Sequence, residues 1–205
     1  MAITNYAELK VAIQDYLKRS DCLSMLDTFI DLAEVDIWSL LRVREMEARA
    51  TASTSTSDRF VALPAGFIKM RQLQITVDSS LYDLEFVPLK NMNVNSDAGI
   101  PYLFTVTSQI ELNRVSDQAY TLEIDYFREL TALSGSNTTN DILTYYPMVY
   151  LSGCLNHAFR WALQTDMADY WESQFNKNVA SANRKSRNGR FGPAPAMRIN
   201  KGMVI

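Results

Sequence analysis

The sequence predicts an α+β protein: a four-helix bundle from N- and C-terminal helices, an inserted β-rich unit of sandwich or barrel type, and an extended basic C-terminal tail. Three observations carry this expectation. Apolar residues recur at helical spacing before residue 44 and again after residue 141, while the chain between them alternates polar residues with β-branched and aromatic ones. Every acidic residue lies at or before Glu172, which leaves the last stretch purely basic. The boundaries that follow are 1–44 with 141–188 for the bundle, 45–140 for the insert and 189–205 for the tail.

The first helix opens at Asn5, with Glu8 three residues on as a capping box, and carries Tyr6, Leu9, Ile13 and Tyr16/Leu17 at helical spacing toward an end near Ser20. In "SMLDTFIDLAEVDIWSLLRV" (24–43), Leu26, Phe29, Ile30, Ala33, Ile37, Leu40 and Leu41 share one face. Leu32 and Val35 point away from it as a second, smaller apolar patch. Asp27, Asp31 and Glu34 form an acidic stripe, with no Lys or Arg between Arg19 and Arg42.

From Glu45 the pattern changes. The segments "MEARATAST", "RFVAL", "KMRQLQITV", "LYDLEFV", "YLFTVT", "QIELNRV" and "AYTLEIDYF" read as six or seven strands separated by turn residues. "PLKNMNVN" (88–95) adds a helical turn, and "LSGSNTTND" (133–141) is a loop by composition. Pro147 suits the first turn of a helix, where its missing N–H costs nothing. Met167, Tyr170, Trp171, Phe175, Val179 and Ala182 then continue in helical register, so two C-terminal helices are expected with a break near Thr165. Both terminal helical segments need a partner for an apolar face, and packing them together leaves the strands as an insertion.

At 205 residues, 47% hydrophobic and 21% charged, the chain can bury a sizeable core. Its beginning lacks the basic-then-apolar order of a secretory signal, and its longest uncharged run, 142–159, is broken by Pro147, Ser152, Gly153 and Asn156, so a soluble protein made in cytoplasm with no membrane partner is expected. Cys22 and Cys154 have no CxxC spacing, and His157 is the only histidine. No glycine-rich nucleotide loop occurs. Accordingly no cofactor, no metal and no catalytic residue is expected. The net charge of −3 hides an asymmetry: all 23 acidic residues and 13 of the 20 basic ones lie in residues 1–172, which carry −10, while residues 173–205 carry +7. Such a basic end binds nucleic acid or docks on an acidic protein surface.

In "YYPMVYLSGCLNHAFRWAL" (145–163), Met148, Leu151, Leu155, Ala158 and Ala162 form the main apolar face, and Tyr150, Cys154, His157 and Trp161 a second stripe. Cys154 and His157 are near enough to touch. The stripe holds no second histidine, no orienting acid and no oxyanion turn, so packing is the reading, with this helix covered on two sides as a subunit interface requires. The interface set is Leu32, Val35, Tyr150, His157 and Trp161. If "QIELNRV" and "AYTLEIDYF" pair across the 116–118 turn, Glu111 faces Glu123 with Asp125 two residues on. Two such carboxylates are either a glycosidase acid and nucleophile or a solvated sheet face.

Several stretches together resemble one family: "FIDLAEVDIWSLLRVREMEARAT", "FVALPAGFIKMRQLQI", "GIPYLFTVTSQIEL", "LEIDYFRELTALSGSNTTNDILTYYPMVYLSGCLNHA" and "YWESQFNKNVASANR". Their order and spacing over about residues 5–185 are similar to those of bacteriophage head-to-tail adaptor (connector, head-completion) proteins, including adaptors of the tail tubular protein A type. The resemblance implies a structural virion protein of the phage neck, assembled in the host bacterial cytoplasm as a dodecameric ring of its own copies beneath the portal protein. It would link the DNA-filled capsid to the tail, contact a downstream tail or nozzle protein, and line the channel through which double-stranded DNA leaves.

On that reading Asp27, Asp31 and Glu34 face the channel and keep DNA from sticking. Arg184, Lys185, Arg187, Arg190, Phe191, Arg198, Lys201, Met203, Val204 and Ile205 dock on the portal. The alternatives are a tail-associated cell-wall hydrolase, resting on Glu111 and Glu123, and a stopper or tail-completion ring elsewhere in the neck.

Overall fold

Asn5 adopts the extended backbone of an N-cap and accepts the Glu8 amide at 2.9 Å, so helix α1 begins at Tyr6 and runs over Tyr6–Leu17. It stops where Lys18 turns left-handed, with φ of 51°. A computed structural model of the chain describes residues 3–189. The chain divides into two units, one built from the chain up to Arg44 and again from Ala132, the other from Glu45–Thr131. With five α-helices and two sheets among the described residues, the protein is α+β.

In the helical unit, α2 spans Leu26–Leu40, the short α3 Asp141–Tyr145, α4 Pro147–Trp161 and α5 Thr165–Asn188. Pro147 occupies the first turn of α4, as expected of a residue without an N–H. Helices α1, α2, α3 and α5 all pack on α4. Of the eleven α4 residues 149–159, ten are consequently buried and His157 is half-buried. Gly153 is where two neighbours come closest: a Cβ there would lie 3.2 Å from Ala33 Cβ of α2 and 3.2 Å from Phe175 Cε2 of α5. Leu9 and Ile13 from α1, Phe29, Ile30 and Ile37 from α2, and Trp171, Phe175 and Val179 from α5 fill the surrounding core.

Two face assignments change. Leu40 is 47% exposed, because α2 ends there and the chain turns extended at Leu41, which takes the inner position and is fully buried. Met148 is 48% exposed at the start of α4, whereas Tyr150 and Cys154, expected on the flanking stripe, have no exposed surface. A helix covered by four others has no flank there.

In the second unit, β1 (Glu47–Ser53), β8 (Thr121–Arg128), β3 (Phe67–Val77) and β4 (Ser80–Asp83) form one antiparallel sheet in that order. The second sheet runs β2 (Phe60–Val61), β7 (Ile110–Leu112), β6 (Leu103–Val106), β5 (Glu85–Phe86), with β5 parallel to β6. One apolar cluster draws on both sheets: Leu73, Ile75, Leu122 and Ile124 from the first, Phe104, Ile110 and Leu112 from the second. Asp78 and Ser79, both at positive φ, form the two-residue turn between β3 and β4, the geometry that matches the twist of a hairpin.

The segment "LYDLEFV" is two strands rather than one. Leu84 is buried between them, its amide bonds to Leu73 O at 3.0 Å, and the next amide, of Glu85, bonds to Tyr102 O at 3.0 Å. The chain thus leaves one sheet at Asp83 and enters the other at Glu85.

Candidate functional site

The α2/α4 contact carries the sequence-expected residues of the helical unit. Glu34 is only 3% exposed; its Oε1 accepts the Tyr150 hydroxyl and the Leu133 amide, both at 2.8 Å. Asn140 donates Nδ2 to the Tyr150 oxygen at 2.7 Å while its Oδ1 caps α3 by accepting the Leu143 amide at 2.9 Å. Burial pushes the Glu34 carboxyl above the ordinary glutamate range, with its two hydrogen bonds pulling the other way. Burial also raises the Tyr150 phenol, and the Glu34 charge adds to that.

Two positions therefore leave the surface sets. Glu34 does not join Asp27 and Asp31 on an exposed stripe, and Tyr150 does not present a side chain to a neighbouring subunit, because each uses the other as its buried partner. Asp27 is exposed, 2.5 Å from Lys10 Nζ, and accepts the Tyr6 hydroxyl at 2.6 Å; these bonds hold its carboxyl below the ordinary aspartate range. Asp31 is exposed. Leu32 and Val35 are 45% and 64% exposed, which keeps them on the outer face of α2. Trp161 is partly exposed, packed by Phe29 and with the Arg19 guanidinium 5.3 Å from its ring centre.

The acid missing from the Cys154/His157 stripe comes from α2: His157 Nε2 lies 2.8 Å from Asp36 Oδ2. A histidine oriented by a carboxylate is half of a nucleophilic site, and Cys154 is not the other half. It is fully buried, and burial together with the nearby Glu34 charge pushes its thiol pKa up, away from the thiolate such a mechanism needs. The His157–Asp36 pair joins α4 to α2. Sequence reading missed Asp36 because it searched one helix face and the partner sits on another.

The carboxylate pair also dissolves. Glu111 lies on β7 opposite Phe60 and Thr105, 3.4 Å from Arg59, whereas Glu123 lies on β8 of the other sheet, opposite Thr51 and Gln74 and 3.6 Å from Arg49. The 116–118 turn carries the chain from one sheet to the other instead of closing a hairpin, so no acid faces its nucleophile there.

Arg184, Lys185 and Arg187 lie exposed on the last turns of α5, with Lys185 Nζ 5.6 Å from the Tyr146 ring centre. On the same turns Asn183 accepts the Arg42 amide at 2.7 Å and buried Ser186 accepts the Arg44 amide at 2.8 Å, tying the end of α5 to the chain leaving α2. Arg190, Phe191, Arg198, Lys201, Met203, Val204 and Ile205 lie outside the described residues. Among the described residues no cluster of three His, Cys, Asp or Glu has metal-binding geometry, and no helix is long and apolar enough to cross a membrane.

No curated protein matches the chain. A family model does: that of the SU10 adaptor protein matches residues 4–198, a span that takes in both units and continues past α5. The chain belongs to the SU10 adaptor protein family, structural phage proteins that serve as adaptors.

Proposed function

We propose that the chain forms a closed, dodecameric ring of its own copies beneath the portal, joins the DNA-filled capsid to the tail, and lines the channel through which DNA leaves. The family match over residues 4–198 carries this reading. In it α1, α2, α4 and α5 act as one four-helix bundle that forms the ring, and the β unit reaches toward neighbouring copies and the downstream tail or nozzle protein. Leu32, Val35, His157 and Trp161 contribute to contacts between copies. Asp27 and Asp31 face the channel, where like charge keeps double-stranded DNA from adhering.

Residues 189–205 dock on the portal, continuing the basic run that Arg184, Lys185 and Arg187 begin on α5. The tail arginines and lysine meet acidic groups, and Phe191, Met203, Val204 and Ile205 fill apolar pockets. Charge speeds the encounter and makes it salt-sensitive; the apolar end sets the residence time. A tail gripping DNA instead would hinder its passage.

Deleting residues 189–205 is expected to leave a folded protein that no longer joins the portal. Particles assembled with it should package DNA and then leak it, which nuclease digestion of released genome in purified capsids would detect. Portal binding by the truncated chain at full-length strength would show that the tail is not the anchor.

A further inference from the structure

The turn between α4 and α5 is built around a leucine in a glycine position. The Leu163 amide bonds to Arg160 O at 3.1 Å and the Gln164 amide to Phe159 O at 3.0 Å, the paired hydrogen bonds of a Schellman helix end, and Leu163 sits at φ 59°. Glycine is favoured there because a Cβ strains the left-handed backbone. Contacts within the helical unit do not offset that strain, since the Leu163 side chain is 87% exposed. Met167 and Tyr170, in the first two turns of α5 and four and seven residues on, are 42% and 52% exposed, and Asp166 next to Met167 is exposed as well. Together they make an apolar head with an acidic rim.

The other end of the same helical hairpin carries the complement. A cleft of about 240 Å³ between the start of α4 and the second half of α5 is lined by Tyr145, Pro147, Met148 and Lys185, among others, and by no acidic residue. Tyr145 is 57% and Met148 48% exposed. Head and cleft are separated by the length of α4, roughly 22 Å at 1.5 Å per residue, so one chain cannot join its own two ends.

From this strained, exposed leucine and the matched charges, we infer that the Leu163 head of one copy seats in the Tyr145/Met148 cleft of the next, with Asp166 meeting Lys185. The contact uses different surfaces on the two copies, so repetition closes a ring or grows an open chain, depending on the rotation per step. This rests on the ring reading above and supplies one of its subunit contacts.

The test is a cysteine pair placed on the full-length chain, Leu163→Cys with Met148→Cys, in particles whose necks are also imaged. Native Cys22 and Cys154 are both buried and should not compete. Mild oxidation should give a ladder of cross-linked multimers from the double variant and only monomer from either single variant. Dimers from Leu163→Cys alone would show a head-to-head contact and overturn the inference. An imaged ring without a ladder would overturn the inference alone, and the absence of any multi-copy ring would overturn the ring reading with it. As a second arm, Leu163→Gly should keep or raise the thermal midpoint while lowering association of the purified chain at high concentration by tenfold or more; unchanged association would also count against the contact.

Discussion

Gly153→Leu should unfold the helical unit or lower its stability by about 3 kcal/mol or more, the upper range for overpacking a filled core. The glycine sits mid-way along α4, a position where its backbone freedom costs roughly 1 kcal/mol relative to alanine. Its use there is spatial. Ala33 on α2 and Phe175 on α5 both stand 3.2 Å from where a Cβ would be, so a leucine drives a branched side chain between three helices at once. Gly153→Ala is expected to stay within about 1 kcal/mol of the parent, since the gain in helix propensity and the cost of moving two neighbours by a few tenths of an ångström are of similar size. Chemical denaturation followed by far-UV circular dichroism reads both. A Gly153→Leu chain with the parent's midpoint would mean that α2 and α5 do not close on α4 as described.

Glu34→Ala is the second large effect. It removes the acceptor of both the Leu133 amide and the Tyr150 hydroxyl inside a closed core, and stranding two buried donors costs about 2–4 kcal/mol in total. Because α2 and the segment entering α3 are tied through this carboxylate, the variant should also expose residues 132–140 to faster amide exchange. The pH dependence has a definite sign. Burial raises the folded-state pKa of Glu34, so the folded state holds this proton more tightly than the unfolded chain does. Its contribution is greatest below the ordinary glutamate range and is lost as pH rises through the raised folded value. The stability of Glu34→Gln, which cannot ionise, minus that of the parent should therefore increase with pH across that window. Parallel curves for the two proteins would show that Glu34 does not titrate with folding. Subtracting one curve from the other removes groups of opposite sign such as Asp27, whose lowered pKa makes stability fall with falling pH.

The α+β class, the Asn5 cap, the helix start at Pro147 and the inner face of α2 up to Ile37 were legible in the sequence because each is a local matter of spacing or backbone chemistry. What escaped is set by neighbours distant in the chain. Periodicity finds the apolar face of a helix but not the number of elements covering it, so Glu34 and Tyr150 read as surface residues although each lies against the other. Glu111 would face Glu123 only if their two strands closed a hairpin, as strands close in sequence often do, and the crossing from one sheet to the other leaves no mark in alternation. The same holds at Leu84, where a single apolar residue in an unbroken strand-like run switches sheets. Leu163 was invisible for the opposite reason: a helix end is signalled by glycine, and here the left-handed position holds a leucine. Asp36 could have been found by asking which charged residue of α2 lies a turn beyond Leu32 and next to Val35, on the edge of the patch expected to meet a neighbour.

Imaging of the intact phage neck by electron cryomicroscopy, with this chain fitted by the two four-stranded sheets and five α-helices of its described residues, tests the ring reading most directly. A closed ring of copies immediately below the portal is expected, with the C-terminal segments reaching the portal surface and Asp27 and Asp31 toward the channel. Single copies of the chain, or a ring that contacts no portal subunit, would contradict it.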